Sequence, residues 1–228
     1  MKKHADERPP VSKENMRVLD GQHRRTNVVE MAALAEIGRA TADQERTEAK
    51  LEEIERTLTM YDATVFVGLR TVVYDAAIAR IEDDGETTIE LPKLPELLAS
   101  AAVSRCLLPV RLRGSEIKAM RRIMKLTLAD LAKRLDEKTA AETVSRWESE
   151  AQPMGGYAEK LLRLLVCEEL RECAPGIEYN ASMIANLKVR DPWRTDPNYE
   201  TPPVELWLLP LKERSGTIIE AWNEKKVA

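Results

Sequence analysis

Three short apolar periods crowded between Ile117 and Trp147 constrain this chain more than any other feature. Ile117, Met120 and Met124 recur at i, i+3, i+7, which places one apolar face on a first helix; the other face carries Lys118, Arg121, Arg122 and Lys125. Thr127 is suited to cap a second helix, along which Leu128, Leu131, Ala132 and Leu135 fall at i, i+3, i+4, i+7. Ala132 is small where two crossing helices approach closely. A polar turn, Asp136 to Thr139, precedes a third short helix with Ala140, Val144 and Trp147 on one face.

The opposite face of that third helix carries Glu142, Ser145, Arg146 and Ser149, with Thr143 on its flank. A short helix anchored by apolar residues that exposes hydroxyls and a guanidinium is suited to the major groove of DNA. An arginine there reaches guanine O6 and N7 in bidentate fashion, worth about 1–3 kcal/mol of discrimination. Thr127, Lys138 and Thr139 are the candidates for holding the phosphate backbone, because a helix N-terminus and its turn direct donors outward. Charge agrees: residues 111–167 hold 12 Lys/Arg against 8 Asp/Glu in a chain of net charge −4. Trp147 is read as core rather than as a platform for bases. The basic face of the first helix also has a plainer reading, a solvated surface.

The run LTLADLAKRL followed by TVSRWES resembles the Xre/Cro superfamily of bacterial and phage regulators. The preceding Leu112-Arg113-Gly114-Ser115-Glu116-Ile117 and the following Leu161-Leu162-Arg163-Leu164-Leu165 are similar, more narrowly, to the DNA-binding domain of MqsA-like antitoxins. The resemblance spans residues 112–167. It implies a helix-turn-helix in which Arg146 reads bases, with Ser145 and Thr143 as its DNA-facing neighbours. The chain departs from that pattern in three places. The turn between helices two and three is longer than usual, and Leu128 stands where the family has a DNA-contacting glutamine. Glu142 puts an acid on the groove face, where a carboxylate accepts from cytosine N4 but repels phosphate. The paired cysteines of the MqsA-like zinc module are also missing.

Cys106, Cys167 and Cys173 form no CxxC pair, which argues against a disulfide framework and a structural zinc. No apolar run approaches the roughly 18–20 residues of a membrane span, and MKKHADERPP leads into no hydrophobic region. A cytoplasmic protein with neither metal nor cofactor is expected. The expected fold class is mainly α with a small β element.

Four regions follow from the pattern. Residues 1–26 are polar and Pro-bearing, a disordered leader or a basic arm of Lys2, Lys3, Arg24 and Arg25. Residues 27–107 form an N-terminal helical region with a small α+β element. Asn27 with Glu30 and Thr41 with Gln44 signal helix starts, and Ile37, Leu51, Ile54 and Leu58 suggest a pairing seam. Over Tyr61–Leu91 periodicity admits both strand and helix, although Thr87-Thr88-Ile89-Glu90-Leu91 after Asp83-Asp84-Gly85 reads as a strand of a hairpin. Pro95 then opens a short helix. Residues 108–174 form the helix-turn-helix domain, closed by a helix from near Gly156. Tyr157, Leu161, Leu164 and Leu165 form one of its stripes and Leu162, Val166 and Leu170 the other; one caps the DNA-binding core, and the other needs the flanking domains or a second copy. Residues 175–228 hold six of the 12 prolines and three of the four tryptophans. They read as an extended arm docked on the chain or its dimer mate, with a strand from Val204 to Leu209, or as a surface for a partner.

The function expected is a sequence-specific DNA-binding transcriptional regulator. It is read as a dimeric, autoregulatory repressor on a palindromic operator, with recognition helices about 34 Å apart. The alternative is an antitoxin-like inhibitor whose flanking regions bind a partner such as a toxin. An enzyme is disfavoured: no glycine-rich phosphate loop is present, and His4 and His23 both lie in the leader.

Overall fold

In the computed structural model the described residues are 55–82, 85–212 and 215–224. The leader, the two helix-start signals and most of the pairing seam therefore lie outside them. Leu58, the last seam position, falls in a strand, so that seam does not continue as a helix through it. The described residues form one compact unit.

The described residues contain seven α-helices and a five-stranded mixed sheet, an α/β fold and not the mainly α chain expected. The strands are β1 (Glu55–Asp62), β2 (Thr71–Ile81), β3 (Thr87–Glu90), β4 (Val204–Lys212) and β5 (Ile218–Asn223). The helices are α1 (Thr64–Val67), α2 (Leu94–Leu107), α3 (Gly114–Ile123), α4 (Leu128–Leu135), α5 (Ala141–Glu148), α6 (Gly156–Glu169) and α7 (Ala181–Ala185).

Strand β2 is the centre of the sheet. β1 runs antiparallel along one edge, while β3 and β4 share the other, β3 antiparallel at Ile78–Ile81 and β4 parallel at Thr71–Tyr74. Parallel neighbours need a long crossover, and here the crossover carries β3 and then helices α2 to α7. Asp75 bulges β2 where Leu58 pairs Ala77 but Met60 pairs Tyr74; its φ of 51° is one that aspartate tolerates. β5 closes the order β1-β2-β4-β5.

Helix α2 lies between the sheet and the other helices, touching β4 and β5 on one side and α3, α6 and α7 on the other. Its sequence, LPELLASAAVSRCL, explains the position: Leu97, Ala101, Ala102 and Val103 are fully buried, and small residues leave room for neighbours on every side. Trp222 of β5 is fully buried, and its Nε1 donates to the Lys93 carbonyl at the start of α2. Gly176 meets the same strand, with the Trp222 carbonyl 2.3 Å from where a Cβ would stand.

The latter part of the C-terminal region, including the strand expected from Val204, thus belongs to the sheet, and the region is not an extended arm. Pro192, Pro197, Pro202 and Pro203 precede β4, and Pro210 lies beyond the residues of β4 that pair β2. Trp207 stacks on Tyr74 at 4.4 Å, and Trp193 packs edge-on to Tyr199 while donating to its carbonyl.

Candidate nucleic-acid interface

The helices that carry the candidate site are seated by the apolar periods of the sequence. Ile117, Met120, Leu131, Ala132 and Val144 are buried, and Trp147 is only 7% exposed, so it belongs to the core. Ala140 differs: it is the exposed N-cap of α5 and does not share the inner face with Val144.

α3 and α5 are joined by three contacts. Gly114 at the start of α3 lies against the end of α5, where a Cβ would fall 2.4 Å from the Glu148 carbonyl. Arg121 makes a two-pronged ion pair with Glu148 at 2.6 and 3.0 Å and donates to the Leu126 carbonyl. Glu150 accepts from the Gly114 N–H and from Arg113. Burial disfavours ionisation of Glu150, but the hydrogen bonds from Gly114 and Arg113 and the charge of Arg113 outweigh it and hold the carboxyl below its ordinary value. Arg121 is therefore a strut and not part of a free basic face. Lys118 and Arg122 on α3 and Lys125 just past its end remain exposed, with no side-chain hydrogen bond or ion pair among the described residues.

A buried cluster joins α2 to α3 and α6. Arg105 meets Glu116 at 2.5 and 2.8 Å and donates to the Val110 and Arg111 carbonyls. Arg163 meets Glu159 at 2.8 Å and donates to the carbonyls of Cys106, Leu108 and Val110. Glu159 also accepts from the Leu112 N–H. The segment between α2 and α3 is thus gripped from both sides, with most of its buried carbonyls met by arginine donors. Beside it, buried Cys167 is held far above the thiol range, first by its hydrogen bond with Cys106 and then by burial.

On α5, Glu142, Ser145, Arg146 and Ser149 face solvent together, with Thr143 half-buried beside them. Three of these side chains are engaged locally. Ser149 donates its hydroxyl to the Ser145 carbonyl at 2.9 Å, and Arg146 Nη2 lies 2.6 Å from Glu142 Oε1. Ser145 keeps its hydroxyl free among the described residues.

The backbone-holding candidates are placed differently from one another. Thr127 caps α4: its hydroxyl accepts from the Asp130 N–H at 3.1 Å and donates to the Asp130 carboxylate at 2.6 Å. That carboxylate in turn accepts from the Thr127 N–H, completing a capping box. The hydrogen bond from Thr127 keeps Asp130 below the usual carboxylate value, so an anion stands at the start of α4. Asp130 was missed in the sequence, although Thr127 with an acid three residues on is a capping-box spacing. Lys138 is exposed, and its N–H and that of Thr139 both turn back onto Asp136. Its ammonium is free among the described residues.

No family model, curated protein or solved structure matches the chain. The described residues contain no group of three or more His, Cys, Asp or Glu able to hold a metal ion, and no helix long and apolar enough to cross a membrane.

Proposed function

We propose that this chain is a sequence-specific DNA-binding transcriptional regulator of the Xre/Cro type that inserts α5 into the major groove. A cytoplasmic dimeric repressor of its own operon, on a palindromic operator, is the form that fits the resemblance to MqsA-like DNA-binding domains. The observation that carries the reading is the row Glu142, Ser145, Arg146 and Ser149, exposed on a helix whose other side is seated by Val144 and Trp147. Such a row meets base edges while the core stays intact. Arg146 reads guanine, and Lys138 holds backbone phosphate. Thr127 supports this indirectly, by fixing the start of α4.

Fluorescence anisotropy on DNA from upstream of the gene tests the proposal, comparing the native chain with Arg146→Ala at two salt concentrations against scrambled competitor. Competitor-resistant binding that falls about tenfold or more in the variant supports it. Weak, salt-sensitive binding that ignores both sequence and Arg146 overturns it.

An antitoxin-like role, in which another surface silences a partner protein, is favoured by one feature: Val65 is 92% exposed and Phe66 47%, side by side on α1. Purification of the tagged chain from its native host without a stoichiometric partner counts against that role.

A further inference from the structure

The Glu142–Arg146 contact bears on which bases α5 selects. Glu142 lies one turn before Arg146, about 6 Å along the helix axis, and their charges cancel on the solvent-facing row. Each side chain is only partly used. Arg146 engages Nη2 with Glu142 Oε1, leaving Nε and Nη1 without partners among the described residues. Glu142 Oε2 likewise accepts no hydrogen bond there. The pair therefore presents donors and an acceptor next to each other on a single rigid element.

Resting on the DNA-binding reading above, we infer that Glu142 is a second specificity-determining residue, and that Glu142 and Arg146 act as one reader of a guanine with a neighbouring cytosine amino group. In the major groove guanine offers two acceptors, O6 and N7, while cytosine offers the N4 donor. Donors from Arg146 meet the first, and the free carboxylate oxygen of Glu142 meets the second. Where thymine O4 or guanine O6 replaces cytosine N4, two acceptors face each other without a proton between them, and that sequence is rejected. The carboxylate acts in a second way. It cancels the arginine charge, so the row adds little to attraction for phosphates in general and more to the choice among sequences. Selectivity is thereby gained at the expense of overall affinity, the pattern expected of an element that works by penalising wrong partners.

The test is anisotropy on a set of operator half-sites in which each base pair under α5 is changed in turn, with the native chain, Glu142→Gln and Glu142→Ala. Thermal melts accompany the binding curves. The native chain is expected to prefer guanine at one position and cytosine at a neighbouring one, each by about tenfold or more. Both variants keep the guanine preference, lose the cytosine preference, bind scrambled DNA more tightly and show a steeper salt dependence. If instead both variants melt lower but every base preference is unchanged, Glu142 is only a helix ion pair and the inference fails. Loss of the guanine and cytosine preferences together also overturns it, because Glu142 then acts only by positioning Arg146. A native chain that binds operator and scrambled DNA alike defeats the regulator reading itself, a result distinct from either.

Discussion

Two Glu–Arg pairs in this molecule have the same chemistry and the same i,i+4 spacing, yet opposite surroundings. Glu159 and Arg163 on α6 meet at 2.8 Å with side chains 3% and 0% exposed, whereas Glu142 and Arg146 on α5 meet at 2.6 Å with side chains 74% and 54% exposed. The buried arginine has no spare donor. Arg163 spends its donors on Glu159 and three backbone carbonyls, and Glu159 also caps the Leu112 N–H. The exposed pair is joined by one hydrogen bond, and its remaining donors and acceptor are turned to water. Burial converts an ion pair into a joint, because every charge withdrawn from water must be met by protein. Exposure leaves the same pair weak as a stabiliser and available to a ligand.

The comparison breaks most easily at Arg163. Arg163→Met leaves Glu159 buried without its partner and the carbonyls of Cys106, Leu108 and Val110 short of donors, so it is expected to cost about 3–5 kcal/mol of stability. Urea denaturation measures this, and a loss under about 1 kcal/mol would mean the cluster is not a joint. Arg121 sharpens the comparison from the middle, since its pair with Glu148 is mostly but not wholly withdrawn from solvent. Arg121→Met is expected to cost about 1.5–3 kcal/mol, with the same measurement. Arg146→Ala should be smallest, about 0.5 kcal/mol or less in stability. A melting temperature lowered as far as in Arg121→Met would show that α5 depends on the exposed pair for its folding.

The helices around the candidate site were legible because their signals are local. Ile117 and Met120, Leu131 and Leu135, and Val144 and Trp147 recur within a turn or two, and that period survives whatever the rest of the chain does. The row from Glu142 to Ser149 follows as the complement of the inner face. Strand β2 was not legible in this way. Val72, Val73, Ala76 and Ala77 are nearly continuous apolar residues, as in a strand covered on both faces, and the bulge at Asp75 breaks the alternation. Its parallel partner, Val204–Trp207, lies on the far side of the whole helical region. The prolines before β4 made the C-terminal region look like an arm, when they shape the approach to a strand of the sheet.

Residue type and spacing alone determined the short helices, the face of α5 that meets solvent and the residues on it. Only the tertiary structure decided which of two identical Glu–Arg spacings is sealed and which is open, that Arg121 is a strut, and that the Thr127 cap places an acid in front of α4. It also decided that the first and last described segments share one sheet. The physical reason is common to all of these: periodicity records which way a side chain points from its own helix, whereas burial, pairing and sheet order depend on what other parts of the chain bring up against it.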